Sequence, residues 1–216
     1  MAEDYTVQQG DHLARIARAF GFSDWQTIWK HPNNANLKNK RQNPNVLYPG
    51  DLLYIPDRQS REESCSTDKK HGFVMKTSDL KLRLTLRDQY ENPIANASCN
   101  LILGAKSDTV TTDGSGKIEV DIQPDDHDGI LIIQDAETPF ESTPISFRIG
   151  DLDPVLETSG QVARLNNLGY FAGDIKQPDP ATFQSAVEEF QCDNNLTVDG
   201  ICGPNTQAKL KQVHGC

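Results

Sequence analysis

The chain has 216 residues, and 31 Asp and Glu against 21 Lys and Arg give it a net charge of −10. That length suits two or three small domains, and the charge argues against nucleic acid as a main partner, since phosphate binding needs clustered Lys and Arg. No apolar run reaches the ~20 residues of a membrane-spanning helix, and the Met-Ala-Glu-Asp-Tyr start lacks the basic and apolar regions of a secretory signal peptide.

Tyr5-Thr-Val alternates as a short strand, and Gly10-Asp11 turns into a helix. Leu13, Ile16, Ala17 and Phe20 stand at i, i+3, i+4 and i+7, one helical face. Gly21 stops that helix. Ser23-Asp-Trp-Gln26 reads as a capping box for a second, with Trp25, Ile28 and Trp29 as its buried stripe. A loop rich in Asn, Pro and Lys runs from His31 to Tyr48. Pro49-Gly50 then turns the chain into a second strand ending at Pro56. The expected order is β-α-α-β.

Those residues, with Tyr5-Thr-Val, Gly10-Asp11 and Leu47-Tyr-Pro-Gly-Asp51 at the two ends, resemble the LysM domain. The long middle loop resembles the variant of phage-tail and potassium-binding LysM proteins. The resemblance implies an N-acetylglucosamine site between two loops. One is Gly10, Asp11, His12 and Leu13; the other is Asn43, Pro44, Asn45, Val46 and Leu47. Backbone groups would bond the acetamido group, and Leu13 and Leu47 would touch its methyl. Protein docking and potassium sensing are the alternatives that the same resemblance implies.

Residues 58–72 are Arg, Gln, Ser, Glu, Thr, Asp and Lys with almost nothing apolar, a solvated linker. Leu80, Leu82, Leu84 and Leu86 then alternate with Lys81, Arg83, Thr85 and Arg87, the period of a half-buried strand. A turn at Asn92-Pro93 and a strand from Ala97 to Leu103 follow. Asp113-Gly-Ser-Gly116 reads as a hairpin turn before Ile118, Val120 and Ile122. Ile130 to Ile133 and Ile145 to Ile149 complete a set of strands that indicates a β-sandwich. Asp-Gln-Tyr-Glu-Asn-Pro and Thr-Thr-Asp-Gly-Ser-Gly resemble transthyretin-like, carboxypeptidase-regulatory and Cna-B sandwiches, which implies a spacer or an interaction surface.

The last segment reads as three helices. Val162, Leu165 and Leu168 make one stripe, closed by Gly169. Asp179 before Pro180 is an N-cap with an N1 proline, and Phe183, Ala186, Val187 and Phe190 share the face that follows. Asp199-Gly200 turns, and Gly203-Pro204 starts a third helix carrying Leu210 and Val213. Tyr170, Phe190, Gln191, Asp199, Gly200, Gly203 and Thr206, with the leucines around them, resemble the helical peptidoglycan-binding domain. The first glycine-rich turn of that family is replaced here by Gly173-Asp-Ile-Lys-Gln-Pro-Asp-Pro.

Catalytic and metal constellations do not emerge. His12, His31, His71, His127 and His214 are scattered, with no His-x-x-x-His pair and no Gly-x-Ser-x-Gly. Asp125-Asp-His-Asp-Gly lacks the spaced acids and closing Glu of a calcium loop, because its twelfth place is Ala136. It reads as a solvated turn. Glu188-Glu189 point about 100° apart on a helix, a polar face rather than a glycosidase pair. Five cysteines show no Cys-x-x-Cys. Cys192 and Cys202 flank one turn and could pair outside a reducing compartment; free thiols are the other reading.

The expectation is therefore a multidomain chain: a βααβ LysM domain at 1–57, a linker at 58–72, an all-β sandwich at 73–150 and an all-α, three-helix domain at 151–216. It needs no cofactor and no metal. Its expected work is to bind peptidoglycan without cleaving it, reaching the wall from the cytoplasm through a phage tail or a type VI secretion system and holding a protein partner there. The rivals are an adaptor or chaperone for a toxin or spike that never touches glycan, and an accessory wall hydrolase.

Overall fold

The computed structural model describes residues 2–59, 64–72, 80–134 and 142–216. The linker positions 60–63 lie outside that set. The N-terminal elements are β1 (Glu3–Thr6), α1 (Leu13–Ala19), α2 (Gln26–Trp29), a 3-10 turn at Pro32–Asn34, α3 (Ala35–Arg41) and β2 (Leu52–Ile55). Strands β3 (Lys81–Thr85), β4 (Ser98–Leu103), β5 (Lys106–Thr111), β6 (Lys117–Asp121), β7 (Asp128–Ile133) and β8 (Pro144–Arg148) follow. Helices α4 (Thr158–Asn167), α5 (Pro180–Asp193) and α6 (Pro204–His214) complete the chain. It divides into two compact units that interleave in sequence. One holds Met1–Glu3, Leu13–Lys30 and Ile55–Gly150; the other holds Asp4–His12, His31–Tyr54 and Asp151–Cys216.

In the first unit, Leu13, Ile16, Ala17, Ile28 and Trp29 are buried, as the helical spacing predicts. The cap of α2 differs from expectation. Its first N–H is bonded at 2.8 Å by the Asp24 carboxylate, not by Ser23. The short acidic side chain reaches a donor two residues on and displaces the capping box.

The six later strands form two antiparallel sheets, β3-β6 and β5-β4-β7-β8. Their inner faces meet in a core of Ile94, Ala97, Cys99, Leu101, Ile118, Leu131 and Ile133, with Leu82 and Leu84 packed against it. Alternation along β3 therefore produces the predicted half-buried strand. Strand β5 was not foreseen. Its sequence Lys-Ser-Asp-Thr-Val-Thr is nearly all exposed and polar because it is an edge strand paired on one side to β4. The tight hairpin falls at Gly104-Ala105, where Gly104 takes φ +56°, a turn of two residues with glycine first. Asp113-Gly-Ser-Gly116 instead passes the chain between sheets, since β5 pairs with β4 and β6 with β3. Gly129 faces Phe147 across β7 and β8, and a Cβ there would lie 2.1 Å from the ring.

Asp125 and His127 contact α1 in this unit. Arg18 pairs with Asp125 at 3.2 Å, and Arg15 lies 3.0 Å from His127 Nδ1. The acidic turn expected to be merely solvated is thus a docking point for the first helix. Both Arg18 and Asp125 stay more than half exposed, so the pair adds at most about 1 kcal/mol.

The second unit contains the β1-β2 sheet apart from Glu3 and Ile55, then the 3-10 turn, α3 and the three C-terminal helices. The loop expected over His31–Tyr48 carries α3, whose single buried apolar residue, Leu37, left no periodic stripe to read. Asn34 ties the start of α3 to β2. Its Nδ2 donates to Tyr54 O, and its Oδ1 accepts from Tyr54 N, both at 2.8 Å. The amide thereby satisfies a backbone pair on β2.

Helix α4 buries Val162 and Leu165, and Gly169, at φ +94°, turns the chain two residues past its end. Helix α5 starts as predicted: Asp179 Oδ2 accepts from Thr182 N at 2.8 Å and Pro180 is the first helical residue. Ala186, Val187, Phe190 and Leu210 meet Val162 and Leu165 in one core. Val213, expected with Leu210, is 43 % exposed. It lies three residues on, at the rim of the helical stripe.

Candidate functional site

The C-terminal signature residues converge on one side chain. Gln191, on α5, is 1 % exposed. Its Oε1 accepts from the N–H groups of Asp199 and Gly200, each at 3.0 Å. Its Nε2 donates to Asp199 Oδ1 at 2.8 Å, Thr206 Oγ1 at 3.0 Å and Ile201 O at 3.1 Å. One buried amide thus holds the whole α5–α6 loop, with every donor and acceptor used. Asp199 Oδ1 also accepts from Ile201 N at 2.9 Å. Those bonds hold its carboxyl below the ordinary range, the Ile201 N–H first and Gln191 second. Gly200 takes φ +67°, and a Cβ there would lie 2.6 Å from Gln184, so both backbone angle and space require glycine.

Phe190 is fully buried, and Tyr170 stands edge-on to it at 5.5 Å. Tyr170 OH donates to Asp193 at 3.0 Å. Thr206 is buried and receives Gln191; Gly203 is the N-cap of α6. Gln191, Asp199, Gly200 and Thr206 therefore come together as a loop clamp, Gly203 starts α6 beside them, and Tyr170 and Phe190 form a separate edge-on pair. The large apolar side chains the loop leaves exposed are Val198 at 54 % and Ile201 at 65 %.

Arg164 is the largest fully buried side chain. It donates to Asp153 O at 2.8 Å, Gly160 O at 2.7 Å and Cys216 O at 2.9 Å. Burial lowers its pKa, against the charges near Cys216 and Asp153. It ties the entry segment, α4 and the final residues together.

In the N-terminal domain, Gly10 turns at φ +85°, and Asp11 Oδ2 accepts from Tyr5 OH at 2.7 Å and Gln8 N at 2.9 Å. His12 and Leu13 are buried, Leu13 completely. Asn43 Oδ1 accepts from Asn45 N at 2.9 Å, which turns the chain at Pro44. Val46 and Leu47 are 7 % and 4 % exposed. Leu13 and Leu47 therefore serve as core rather than as apolar contacts for a sugar. Asn43, Pro44 and Val46 line cavities shared with α6 residues, with no lining from Gly10–Leu13.

Just before that loop lies a feature the sequence did not single out. Arg41, 1 % exposed at its side chain, binds Asp51 bidentately, Nε to Oδ2 at 2.6 Å and Nη2 to Oδ1 at 2.9 Å. Asp51 also accepts from Tyr48 N at 3.1 Å and Lys40 Nζ at 3.3 Å. Glu157 reaches Arg41 Nη1 at 3.4 Å, and the guanidinium sits 5.2 Å from the Tyr48 ring centroid. The hydrogen bond to Asp51 raises the Arg41 pKa. Desolvation works to raise the Asp51 pKa, yet its bonds to Arg41, Tyr48 and Lys40 win and lower it. The signal was present in the Pro-Gly-Asp turn, but a basic residue ending a polar helix reads as solvated.

Two family comparisons match this organisation. The LysM domain matches residues 5–56, and a peptidoglycan binding domain matches residues 162–210. The chain carries a LysM domain and a peptidoglycan-binding domain. No curated protein and no solved structure matches it. Both domains support a role in binding the cell wall, and neither is a catalytic domain. No helix among the described residues is long and apolar enough to cross a membrane.

One triad in the peptidoglycan-binding domain invites an enzymatic reading. Cys216 Sγ lies 3.1 Å from His214 Nδ1, and His214 Nε2 lies 3.1 Å from Asn167 Nδ2. A nucleophilic cysteine needs a depressed pKa and a protonatable imidazole. The shifts here run the other way. Burial raises the Cys216 thiol, and burial with Arg164 nearby pushes His214 down to about 4. The pair rests as neutral thiol and neutral imidazole. Cys192 and Cys202 are free thiols, one exposed and one half-buried, and burial raises Cys202 to about 11.

Proposed function

We propose that this chain is a non-catalytic peptidoglycan-binding adaptor that holds or guides a protein partner at the cell wall. The observation that carries the reading is the pairing of two wall-associated domains on one chain, at residues 5–56 and 162–210. Two weak sites on one chain gain from effective concentration, so avidity can exceed either site alone. A net charge of −10 disfavours anionic wall polymers, which leaves sugar and peptide contacts as the source of affinity. In the LysM domain those contacts come from backbone groups at Asp11 and Asn43–Asn45, the parts of the two loops that stay accessible; in the peptidoglycan-binding domain they come from the loop that Gln191 holds. The residues between the two domains, with their β-sandwich, supply the surface for the partner, which we assign to a phage tail or type VI secretion machine.

Labelled full-length chain added to isolated sacculi tests this directly. It should decorate them and be displaced by excess soluble muropeptide. Failure to decorate, together with co-purification of one protein from native lysate, would favour an adaptor that never touches the wall. Release of soluble fragments from dye-labelled sacculi would favour a hydrolase.

A further inference from the structure

The second unit contains a cavity of about 240 Å³ whose lining has a charge unlike the rest of the chain. The protein has 31 acidic residues and 21 basic ones. Yet the described side chains around this cavity include Lys40, Arg41, Arg164 and Lys211 and no carboxylate. Arg41 is committed to Asp51 and Glu157, and Arg164 to three backbone carbonyls. Lys40 shares Asp51 at 3.3 Å and keeps its side chain 59 % exposed. Lys211, exposed in the last turn of α6, has no carboxylate partner among the described residues. The floor is apolar, with Val46, Val155 and Leu156. Lys211, with the half-engaged Lys40, over an apolar floor fits a small anionic group attached to small alkyl side chains.

We propose that this cavity receives the carboxylate-bearing end of a peptidoglycan stem peptide, with Lys211 and Lys40 pairing its carboxylate. The assignment rests on the wall-binding reading above and names the part of the wall that this unit recognises. Charge selects the peptide over the glycan, because a neutral sugar offers these lysines no carboxylate. The inner cavity lies below the ~300–1,000 Å³ of sites that enclose a drug-sized ligand, so it takes a terminal residue or two. The cavity continues into a hollow of about 680 Å³ that shares Gln42, Asn43, Ala208 and Lys211, where the rest of the stem lies. Gln42 stands at the junction with φ +61°, a left-handed backbone that its side chain tolerates at some cost. The LysM second loop and the last helix thus form one peptide site within the unit.

The test measures binding of full-length protein to a synthetic stem peptide, to the same peptide with its carboxylates amidated, to a chitooligosaccharide and to whole sacculi. The peptide acid should bind. Lys211→Glu should weaken it by about fivefold, the upper end for an exposed pair, and amidation should weaken it comparably. Ala208→Trp, which fills the cavity mouth without changing charge, should also weaken it, while the chitooligosaccharide affinity stays unchanged in both variants. Sacculi that bind while the peptide does not would overturn the stem-peptide site and leave the wall-binding reading standing. Equal binding of acid and amide would overturn the role of the cations. Equal loss of the chitooligosaccharide in Lys211→Glu would reassign the cavity to sugar. Absence of all binding would overturn both readings.

Discussion

Two loops in the second unit are each held by one buried polar side chain, and the two clamps use different physics. In the peptidoglycan-binding domain, Gln191 is neutral and fully hydrogen-bonded to the Asp199–Thr206 loop. In the LysM domain, Arg41 and Asp51 hold α3 against the Tyr48–Asp51 turn as a buried ion pair. A neutral amide with every bond made has no charge to desolvate. The ion pair does, and it persists only because both partners are present and bidentate. The Gln191 clamp should therefore resist salt and weaken in acid only as Asp199 is protonated, below the ordinary carboxylate range, while the ionic one depends on both charges.

The largest expected effect comes from halving the ionic clamp. Asp51→Ala leaves the Arg41 charge buried and should cost about 3 kcal/mol or more, read as a lower midpoint in denaturant. The double variant Arg41→Met with Asp51→Leu should recover much of that loss, because it removes the uncompensated charge. A double variant as unstable as the single one would mean that the pair acts through packing alone. Gln191→Ala should come next, at about 2 kcal/mol, since it strands the Asp199 and Gly200 N–H groups and Thr206. Hydrogen exchange should accelerate at those amides first. Gly200→Ala should cost about 1–2 kcal/mol from its left-handed backbone and its clash with Gln184, without disturbing the LysM domain.

Acid also acts outside the two clamps. His214 has its pKa depressed from 6.5 to about 4. The unfolded chain therefore binds the extra proton first, and stability is complete above pH 6.5 and falls as pH drops toward 4. Asp51 has a pKa below the ordinary carboxylate value. Its contribution is present above about pH 4 and is lost as pH falls through the lowered value. Domain-resolved exchange should show the peptidoglycan-binding domain loosening first, and His214→Gln should remove that early phase. The smallest effect belongs to Glu119→Gln, which breaks exposed cross-strand pairs with Lys81 and Arg83 and should leave the melting point nearly unchanged.

Much of the fold was legible because apolar periodicity records burial. Leu13, Ile16 and Ala17, the alternating leucines of β3, and Ala186, Val187 and Phe190 all take the core positions their spacing predicts. What escaped has little apolar signal. Strand β5 is polar because only one edge is paired. Helix α3 is anchored by Asn34 and Arg41 rather than by a stripe. The site was legible as a signature but not as a surface. Gln191, Gly200, Thr206 and Leu13 were read as binding residues because the families place them so. The burial of Gln191, Thr206 and Leu13 and the left-handed backbone of Gly200 show that they shape the loops. The cavity has no motif, since Lys40 and Lys211 are far apart in sequence and line it together only through the fold.

The account turns on whether the intact protein binds the wall without cutting it. Purified chain should be spun down with purified sacculi, and the supernatant analysed by mass spectrometry. The account predicts chain in the pellet, displaced by soluble muropeptide, and no released fragments. Chain left in the supernatant at every sacculus concentration, or fragments appearing with time, would contradict it.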